Sequence, residues 1–87
     1  GYRALGRYYL EKPSPEPEKA ETHLEEAVRI APGMLCNHLD LAQAYLKQGK
    51  TDLARERQLY VLNAPSDPEF AVENKRCKEE ARLLHIE

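Results

Sequence analysis

Three histidines are the side chains of this 87-residue chain best suited to metal binding or proton transfer. His23, His38 and His85 fall in three separate predicted helical segments, without the Cys and His spacing of a zinc site. We therefore expect solvated imidazoles, and the sequence predicts no metal site.

Nucleophilic catalysis requires a Ser or Cys that a positioned base activates. Ser14 and Ser66 each precede a predicted helix, where a capping role accounts for them. The four glycines are scattered singly, so no phosphate-binding loop is present in the sequence. The sequence predicts no catalytic residue, no cofactor and no enzymatic activity.

The two cysteines, Cys36 and Cys77, are far apart and form neither a CxxC pair nor a zinc pattern. This spacing favours reduced thiols that behave as small, half-buried apolar side chains. A disulfide or a reactive thiol is the alternative.

Composition excludes two classes of partner. Thirteen basic and fifteen acidic side chains give a formal charge of −2, so we expect no nucleic-acid partner. No apolar run approaches the roughly 20 residues that span a bilayer, so we expect no direct membrane span. The mixture of charged (32%) and hydrophobic (41%) residues is typical of amphipathic helices in water.

Helix breakers divide the chain into five predicted helical stretches. The breakers are Pro13, Pro15, Pro17, Pro32-Gly33, Gly49, Pro65 and Pro68. Ser14 before Pro15, Thr51 after Gly49, and Asp67 before Pro68 are the expected caps of the second, fourth and fifth helices. Gly49 is expected to take the left-handed conformation that ends a helix. No alternating β pattern is found.

A helix-turn-helix unit recurs along the chain. Leu5-Gly6-x-x-Tyr9 in the first unit matches Leu41-Ala42-x-x-Tyr45 in the second. The second helix of each unit carries small and apolar residues before a proline: Ala20, Leu24, Ala27, Val28 and Pro32, then Ala54, Val61, Leu62 and Pro65. A small residue on each helix allows the two helices to cross closely.

This pattern resembles the tetratricopeptide repeat family. The resemblance implies an all-α fold of antiparallel helix-turn-helix repeats, in one domain over residues 1–87. Repeat 1 would cover about 1–33, repeat 2 about 34–66, and a capping helix about 67–86. Gln58 replaces a large aromatic of the family pattern, so we expect Gln58→Leu to be tolerated if the site is only partly buried.

In this family the first helices of successive pairs line a concave groove, which implies a set of partner-binding residues. The set is Arg3, Arg7, Leu39, Asp40, Gln43, Leu46 and Lys47. Arg3 and Arg7 are one helical turn apart and could meet one carboxylate-bearing segment, or could simply be solvated. Asp40 would repel a C-terminal carboxylate, which argues against the chaperone-tail mode of the family.

The implied function is a non-catalytic scaffold for protein–protein interaction that presents this groove, or the exposed flank of the last helix, to a partner protein or a second copy. The chain opens at Gly1-Tyr2 with residues typical of a helix interior, so we expect a fragment of a longer chain. Two repeats are fewer than the three normally needed for an independent solenoid, and self-association would bury the apolar side chains of an uncapped end, so a homo-oligomer is the second option.

A narrower resemblance concerns the T-components of TRAP-type transporters and related regulators of microtubule dynamics. It rests on Ala27-Val28-Arg29-Ile30-Ala31-Pro32, Asn37-His38-Leu39-Asp40-Leu41-Ala42, Glu73-Asn74-Lys75 and Glu79-Glu80-Ala81-Arg82-Leu83-Leu84. It implies a periplasmic accessory protein that helps bind or pass a small apolar ligand. The sequence slightly favours the cytoplasm as the compartment, or the periplasm if this resemblance holds.

Overall fold

The computed structural model describes residues 1–65 and 67–86, and within these ranges the regular structure is entirely helical. The helices are α1 (Tyr2–Glu11), α2 (Pro17–Ile30), α3 (Leu35–Lys47), α4 (Thr51–Asn63) and α5 (Ala71–Leu83), with a short 3₁₀ helix at Pro68–Phe70 before α5. This arrangement confirms the all-α prediction. Within the described ranges, none of the helices combines the length and the hydrophobicity of a membrane-spanning segment.

The helix starts agree with the sequence at one predicted cap and differ at two. The side chain of Asp67 accepts a hydrogen bond from the Glu69 amide at 2.9 Å, as expected. Ser14 is not a cap, because the prolines keep the chain non-helical until Pro17, and Glu16 becomes the N-cap. Thr51 is the first residue of α4, with Lys50 as N-cap. The predicted cap at Ser66 lies outside the described residues.

Successive helices pack through small residues, as the repeat pattern predicts. Gly6 of α1 lies directly against Leu24 of α2, so closely that a Cβ atom there would collide with the leucine side chain. Ala42 of α3 and Ala54 of α4 are both fully buried. Gly49, between these two helices, has a φ of +75°, the left-handed conformation that its position predicts.

Two apolar clusters form the core, and both include residues of α3. The first lies among α1, α2, α3 and α4 and consists of Leu10, Ala20, Leu24, Leu41, Ala42, Ala44, Tyr45 and Ala54. The second lies among α3, α4 and α5 and consists of Leu35, Cys36, Leu39, Val61, Cys77 and Ala81. Helix α3 therefore joins the two halves of the core.

Cys36 and Cys77 form a disulfide, so the prediction of two reduced, half-buried thiols is wrong. Both residues are buried, and their Cα atoms are 5.4 Å apart although 41 positions separate them in the sequence. The spacing rule failed because it considers only neighbours along the chain. Here α3 and α5 lie side by side, and their packing brings the two thiols together.

Asn74 provides a second link between α5 and the start of α3. Its side chain is fully buried, and its Oδ1 accepts a hydrogen bond from the main-chain amide of Leu35 at 2.9 Å. Its Nδ2 donates to the carbonyl oxygen of Gly33 at 3.0 Å. The amide therefore satisfies one free amide at the N-terminus of α3 and holds the preceding turn against α5.

Helices α4 and α5 cap each other's C-terminal ends. Lys78 Nζ donates to the carbonyl oxygens of Val61 at 2.8 Å and Ala64 at 2.6 Å, at the end of α4. Gln58 Nε2 donates to the carbonyl oxygens of Ala81 at 2.8 Å and Leu84 at 2.9 Å, at the end of α5. Gln58 is only partly buried, yet leucine there would remove both hydrogen bonds, so the structure leads us to expect that Gln58→Leu destabilises the fold.

Loss of the disulfide should destabilise the fold strongly. The cross-link closes a long loop, so the Cys36→Ala/Cys77→Ala variant should lose about 4 kcal/mol of unfolding free energy, a large share for a chain of this size. Urea unfolding with and without dithiothreitol measures this effect. The wild-type protein should lose stability on reduction, whereas the double variant should not respond; equal responses would contradict the cross-link.

Candidate binding groove

A hollow of about 510 Å³ lies between α1, α3 and α5. Its lining residues are Arg3 and Arg7 from α1, Gln43 from α3, and Arg76 and Glu80 from α5. These five residues define the candidate groove. Arg3 and Arg7 are one turn apart on α1, and Arg76 and Glu80 are one turn apart on α5, so each helix presents two side chains to the same space.

Asp40 of α3 holds the two arginines of α1. Its Oδ2 accepts a hydrogen bond from Arg3 Nε at 2.7 Å, and its Oδ1 accepts one from Arg7 Nη1 at 3.0 Å. Asp40 is 2% exposed, whereas both guanidinium groups are partly open to solvent. The arginines are therefore bound within the chain, in contrast to the two sequence alternatives of a partner carboxylate or solvent alone.

Burial raises the pKa of the Asp40 carboxyl above its ordinary value, and the hydrogen bonds and positive charges of Arg3 and Arg7 oppose this shift. The carboxylate is thus poorly solvated and relies on the two guanidinium groups for compensation. Since the three side chains come from α1 and α3, this ion cluster fixes the position of α1 beside α3.

The other charges of the groove take part in exposed ion pairs. Arg7 also pairs with Glu11 on α1, and Arg76 Nη1 lies 3.6 Å from Glu80 Oε1 on α5. Exposed pairs of this kind contribute little to stability, typically below about 1 kcal/mol. The groove therefore contains cations whose present partners a bound molecule could replace at low cost.

The remaining residues of the predicted set lie elsewhere. Leu39 is 1% exposed and belongs to the second core cluster, so it has no surface to present. Leu46 is partly buried against the first core cluster. Lys47 is exposed at the last residue of α3. Of the seven predicted residues, Arg3, Arg7 and Gln43 line the hollow, and Asp40 is buried against the two arginines.

Sequence reasoning missed Arg76 and Glu80. In the sequence, Arg76 belongs to a basic run that Glu79 and Glu80 follow at i+4, a pattern typical of a solvated helix face. The available signal was the position of α5 directly after two helix pairs, because the resemblance implies that the helix in this position follows α1 and α3 along the groove. Which face of α5 turns toward the groove depends on the disulfide, and that pairing was not predicted.

His38 is a buried imidazole, which corrects the expectation that it is solvated. Its Nε2 donates to the Pro32 carbonyl oxygen at 3.0 Å, so its Nδ1 accepts from Arg57 Nη1 at 3.1 Å; this tautomer is assigned from the two partners. The ring stacks on Tyr60 at a centroid distance of 4.3 Å. Burial lowers the pKa of His38, and the charge of Arg57 adds to this effect.

The other histidines do not form a site with His38. The His23 ring stacks on Tyr9 and on Tyr2, with centroid distances of 5.5 Å and 6.2 Å. His85 follows the end of α5. Across residues 1–65 and 67–86, no group of three or more His, Cys, Asp or Glu side chains is placed to hold a metal ion.

Removing both arginines should destabilise the protein more than removing the aspartate. In Arg3→Ala/Arg7→Ala the buried carboxylate loses its partners, and we expect a loss of about 2–3 kcal/mol, below the range for fully buried pairs because the arginines are partly exposed. In Asp40→Ala the guanidinium groups can turn to water, with a loss of about 1 kcal/mol. Urea unfolding at neutral pH compares the two.

The triple variant Arg3→Ala/Arg7→Ala/Asp40→Ala provides the control. It removes the unpaired carboxylate as well, so it should be more stable than the double arginine variant. A triple variant less stable than the double one would show that Asp40 does not depend on the arginines.

Stability should depend on pH through His38. The unfolded chain takes up a proton at about pH 6.5, while the folded protein, with its lowered pKa, does so only at lower pH. The stabilisation that the neutral His38 imidazole contributes to the folded state is therefore complete above about pH 6.5. As the pH falls below this value, the free energy of unfolding decreases by at most about 1.4 kcal/mol per pH unit. Thermal unfolding at several pH values, compared with His38→Gln, measures it; identical pH profiles would contradict the assignment.

Comparison with known proteins identifies the family. A family model for the tetratricopeptide repeat matches residues 16–71, which extend from the N-cap of α2 to the first residue of α5 and cover more than half of the chain. No curated protein and no solved structure shows a significant match. The match concerns the general repeat, so the narrower transporter resemblance and the repeat boundaries stay predictions. The chain belongs to the tetratricopeptide repeat family.

Proposed function

We propose that this chain is a non-catalytic scaffold whose candidate groove binds an extended, carboxylate-bearing segment of a partner protein. Repeats of this family generally mediate protein–protein interaction, which supports the class of function. The specific groove and the chemistry of the segment are the parts that we add.

One observation carries the proposal: three guanidinium groups from two helices meet at one hollow. The contact of Arg3 with Asp40 uses Nε, so the two Nη groups of Arg3 can still donate hydrogen bonds. Arg7 reaches Asp40 through Nη1 and meets Glu11 through Nη2. Guanidinium groups bind carboxylates strongly, often through two parallel hydrogen bonds. A segment with one or two acidic side chains fits this arrangement.

Asp40 has a positioning role in this proposal. By binding Arg3 and Arg7 together, it holds both side chains in one orientation before a partner arrives, which reduces the side-chain entropy lost on binding. Because its own charge is largely compensated, it repels an incoming carboxylate less than an isolated aspartate would. The groove is thus prepared for acidic segments despite the acidic residue on α3.

The absence of catalysis is also part of the proposal. Cys36 and Cys77 are consumed in the disulfide, and the imidazole of His38 is stacked and bound on both nitrogens. Nucleophilic chemistry requires a free nucleophile beside an available base. We also keep the predictions of no cofactor and no nucleic-acid partner, the latter because the net charge is −2.

The test uses a display library of random 12-residue peptides, selected on the folded 87-residue chain. Selected peptides should be enriched in Asp and Glu, and NMR titration should perturb the side-chain signals of Gln43 and the arginines of the groove. Gln43→Glu adds a negative charge to the groove and should weaken binding about tenfold, or 1.4 kcal/mol.

Asn63→Asp is the matched control, because it makes the same amide-to-carboxylate change at an exposed position of α4 outside the groove. It should leave the affinity unchanged. Equal losses in Gln43→Glu and Asn63→Asp, or selected peptides without acidic enrichment, would refute the proposed groove.

The periplasmic transporter-accessory function is a second candidate, and one observation supports its compartment. Disulfides persist in oxidising compartments such as the periplasm and are rare in the cytosol. The test is alkylation of Cys36 and Cys77 in intact cells that make the protein. If the two thiols react only after reduction, the disulfide exists in the cell and the result supports this candidate. If both thiols react directly, the protein is reduced in the cell and the result contradicts a periplasmic location.

A further inference from the structure

The outer face of α5 combines two exposed apolar residues with four charged residues. Val72 near the start of the helix is 81% exposed, and Leu83 at its end is 67% exposed. Between them lie two cations, Lys75 and Arg76, followed by two anions, Glu79 and Glu80. The same six residues line a shallow hollow of about 460 Å³.

The helical period places these residues together. With 3.6 residues per turn, Val72, Arg76, Glu79 and Leu83 fall on one stripe, and Lys75 and Glu80 lie on its two flanks. The buried residues Asn74, Cys77 and Ala81 are on the other side of the helix. The disulfide and the core therefore keep the six-residue face turned outward.

The pattern of charged and apolar residues along this face is complementary to the same pattern on a second, antiparallel copy. It runs apolar, two cations, two anions, apolar; read backwards, it runs apolar, two anions, two cations, apolar. A two-fold axis between Cys77 and Lys78 would set Val72 opposite Leu83 of a second copy. In this register Lys75 lies beside Glu79 of the second copy, and Arg76 beside its Glu80. A parallel pairing would instead set like charges side by side.

We propose that the outer face of α5 docks in antiparallel orientation on the same face of a second copy of this chain. A closed two-fold dimer requires a patch that is complementary to itself, and this face satisfies that requirement in both charge and hydrophobicity. The two apolar contacts at its ends bury the exposed Val72 and Leu83 side chains.

The charges can make these contacts because their present partners hold them weakly. Arg76 lies 3.6 Å from Glu80, and Glu79 pairs with Arg82, both along the exposed surface of α5. Exposed intrahelical pairs are screened by water and exchange readily. One helix pair buries less surface than a standard stable interface, so the dimer is weak, concentration-dependent and sensitive to salt. The outer face and the candidate groove share Arg76 and Glu80, so a segment bound in the groove would compete with the dimer. The dimer itself requires no peptide and does not rest on the function proposed above.

Sedimentation velocity of the 87-residue chain across a wide concentration range tests the dimer. The wild-type sedimentation coefficient should rise with concentration, and added salt should suppress the rise. Lys75→Glu/Arg76→Glu and Glu79→Lys/Glu80→Lys should each remain monomeric, since each makes the face repel itself. An equimolar mixture of the two variants should recover the dimer, because their faces are complementary to each other.

Lys19→Glu/Arg29→Glu on α2 changes the net charge by as much as the first variant, at exposed positions away from α5, and should dimerise as the wild type does. A wild-type protein that stays monomeric at every concentration would overturn the proposal. So would charge variants that associate as the wild type does, or a mixture that stays monomeric although circular dichroism shows both variants folded.

A nitroxide label tests the orientation. In Ala71→Cys the new thiol is the single site for labelling, since Cys36 and Cys77 are bonded to each other. Mixed with an unlabelled, ¹⁵N-enriched wild-type chain, the label should broaden the amide signals near Leu83 of the second copy. Broadening around Ala71 and Val72 instead would show a parallel pairing and overturn the antiparallel register.

Discussion

Helix α3 is the constraint on which the rest of the structure depends. It packs against α1, α2, α4 and α5, and ten of its thirteen residues are buried. Because so much of this helix is buried, each buried charged or ionisable side chain that it carries needs a partner from another part of the chain. Asp40 receives Arg3 and Arg7 from α1, and His38 receives Arg57 from α4. These polar contacts therefore determine how the outer helices are arranged.

The same constraint explains where the functional surfaces lie. Since α3 contributes mostly buried atoms, the exposed chemistry comes from the helices on either side. The hollow takes its cations from α1 and α5, while α3 supplies Gln43 and the buried carboxylate of Asp40. Helix α5 is held on α3 by the disulfide and by Asn74, so its inner face is committed and its outer face is open. Helix α5 therefore contributes residues to both the candidate groove and its own outer face.

Local patterns in the sequence predicted the parts of this fold that depend on local chemistry. Gly49 is left-handed because a helix ends there, Asp67 caps because Pro68 follows it, and Ala42 is small because a neighbouring helix crosses close by. The family resemblance added the pairing of helices and a groove along the first helix of each unit.

The remaining features depend on residues distant in the sequence, and no local pattern contains them. The bond between Cys36 and Cys77, the burial of Leu39 and the contribution of Arg76 to the hollow all follow from the way α5 lies against α3. The prediction of Ser14 as a cap was wrong for a different reason. A serine before a proline is typical of a helix start, but the alternating residues Pro13, Pro15 and Pro17 keep this segment non-helical, and α2 begins only at Pro17.

The mutual caps of α4 and α5 have a consequence for how the molecule opens. If α5 unfolds from Lys78 to its end at Leu83, the Gln58 amide loses its acceptors at Ala81 and Leu84, and the Lys78 ammonium moves away from the end of α4. The ends of both helices thus lose protection in the same event. Amide hydrogen exchange in the two helices should then report a single cooperative unit, which remains tethered to α3 through the disulfide while it is open.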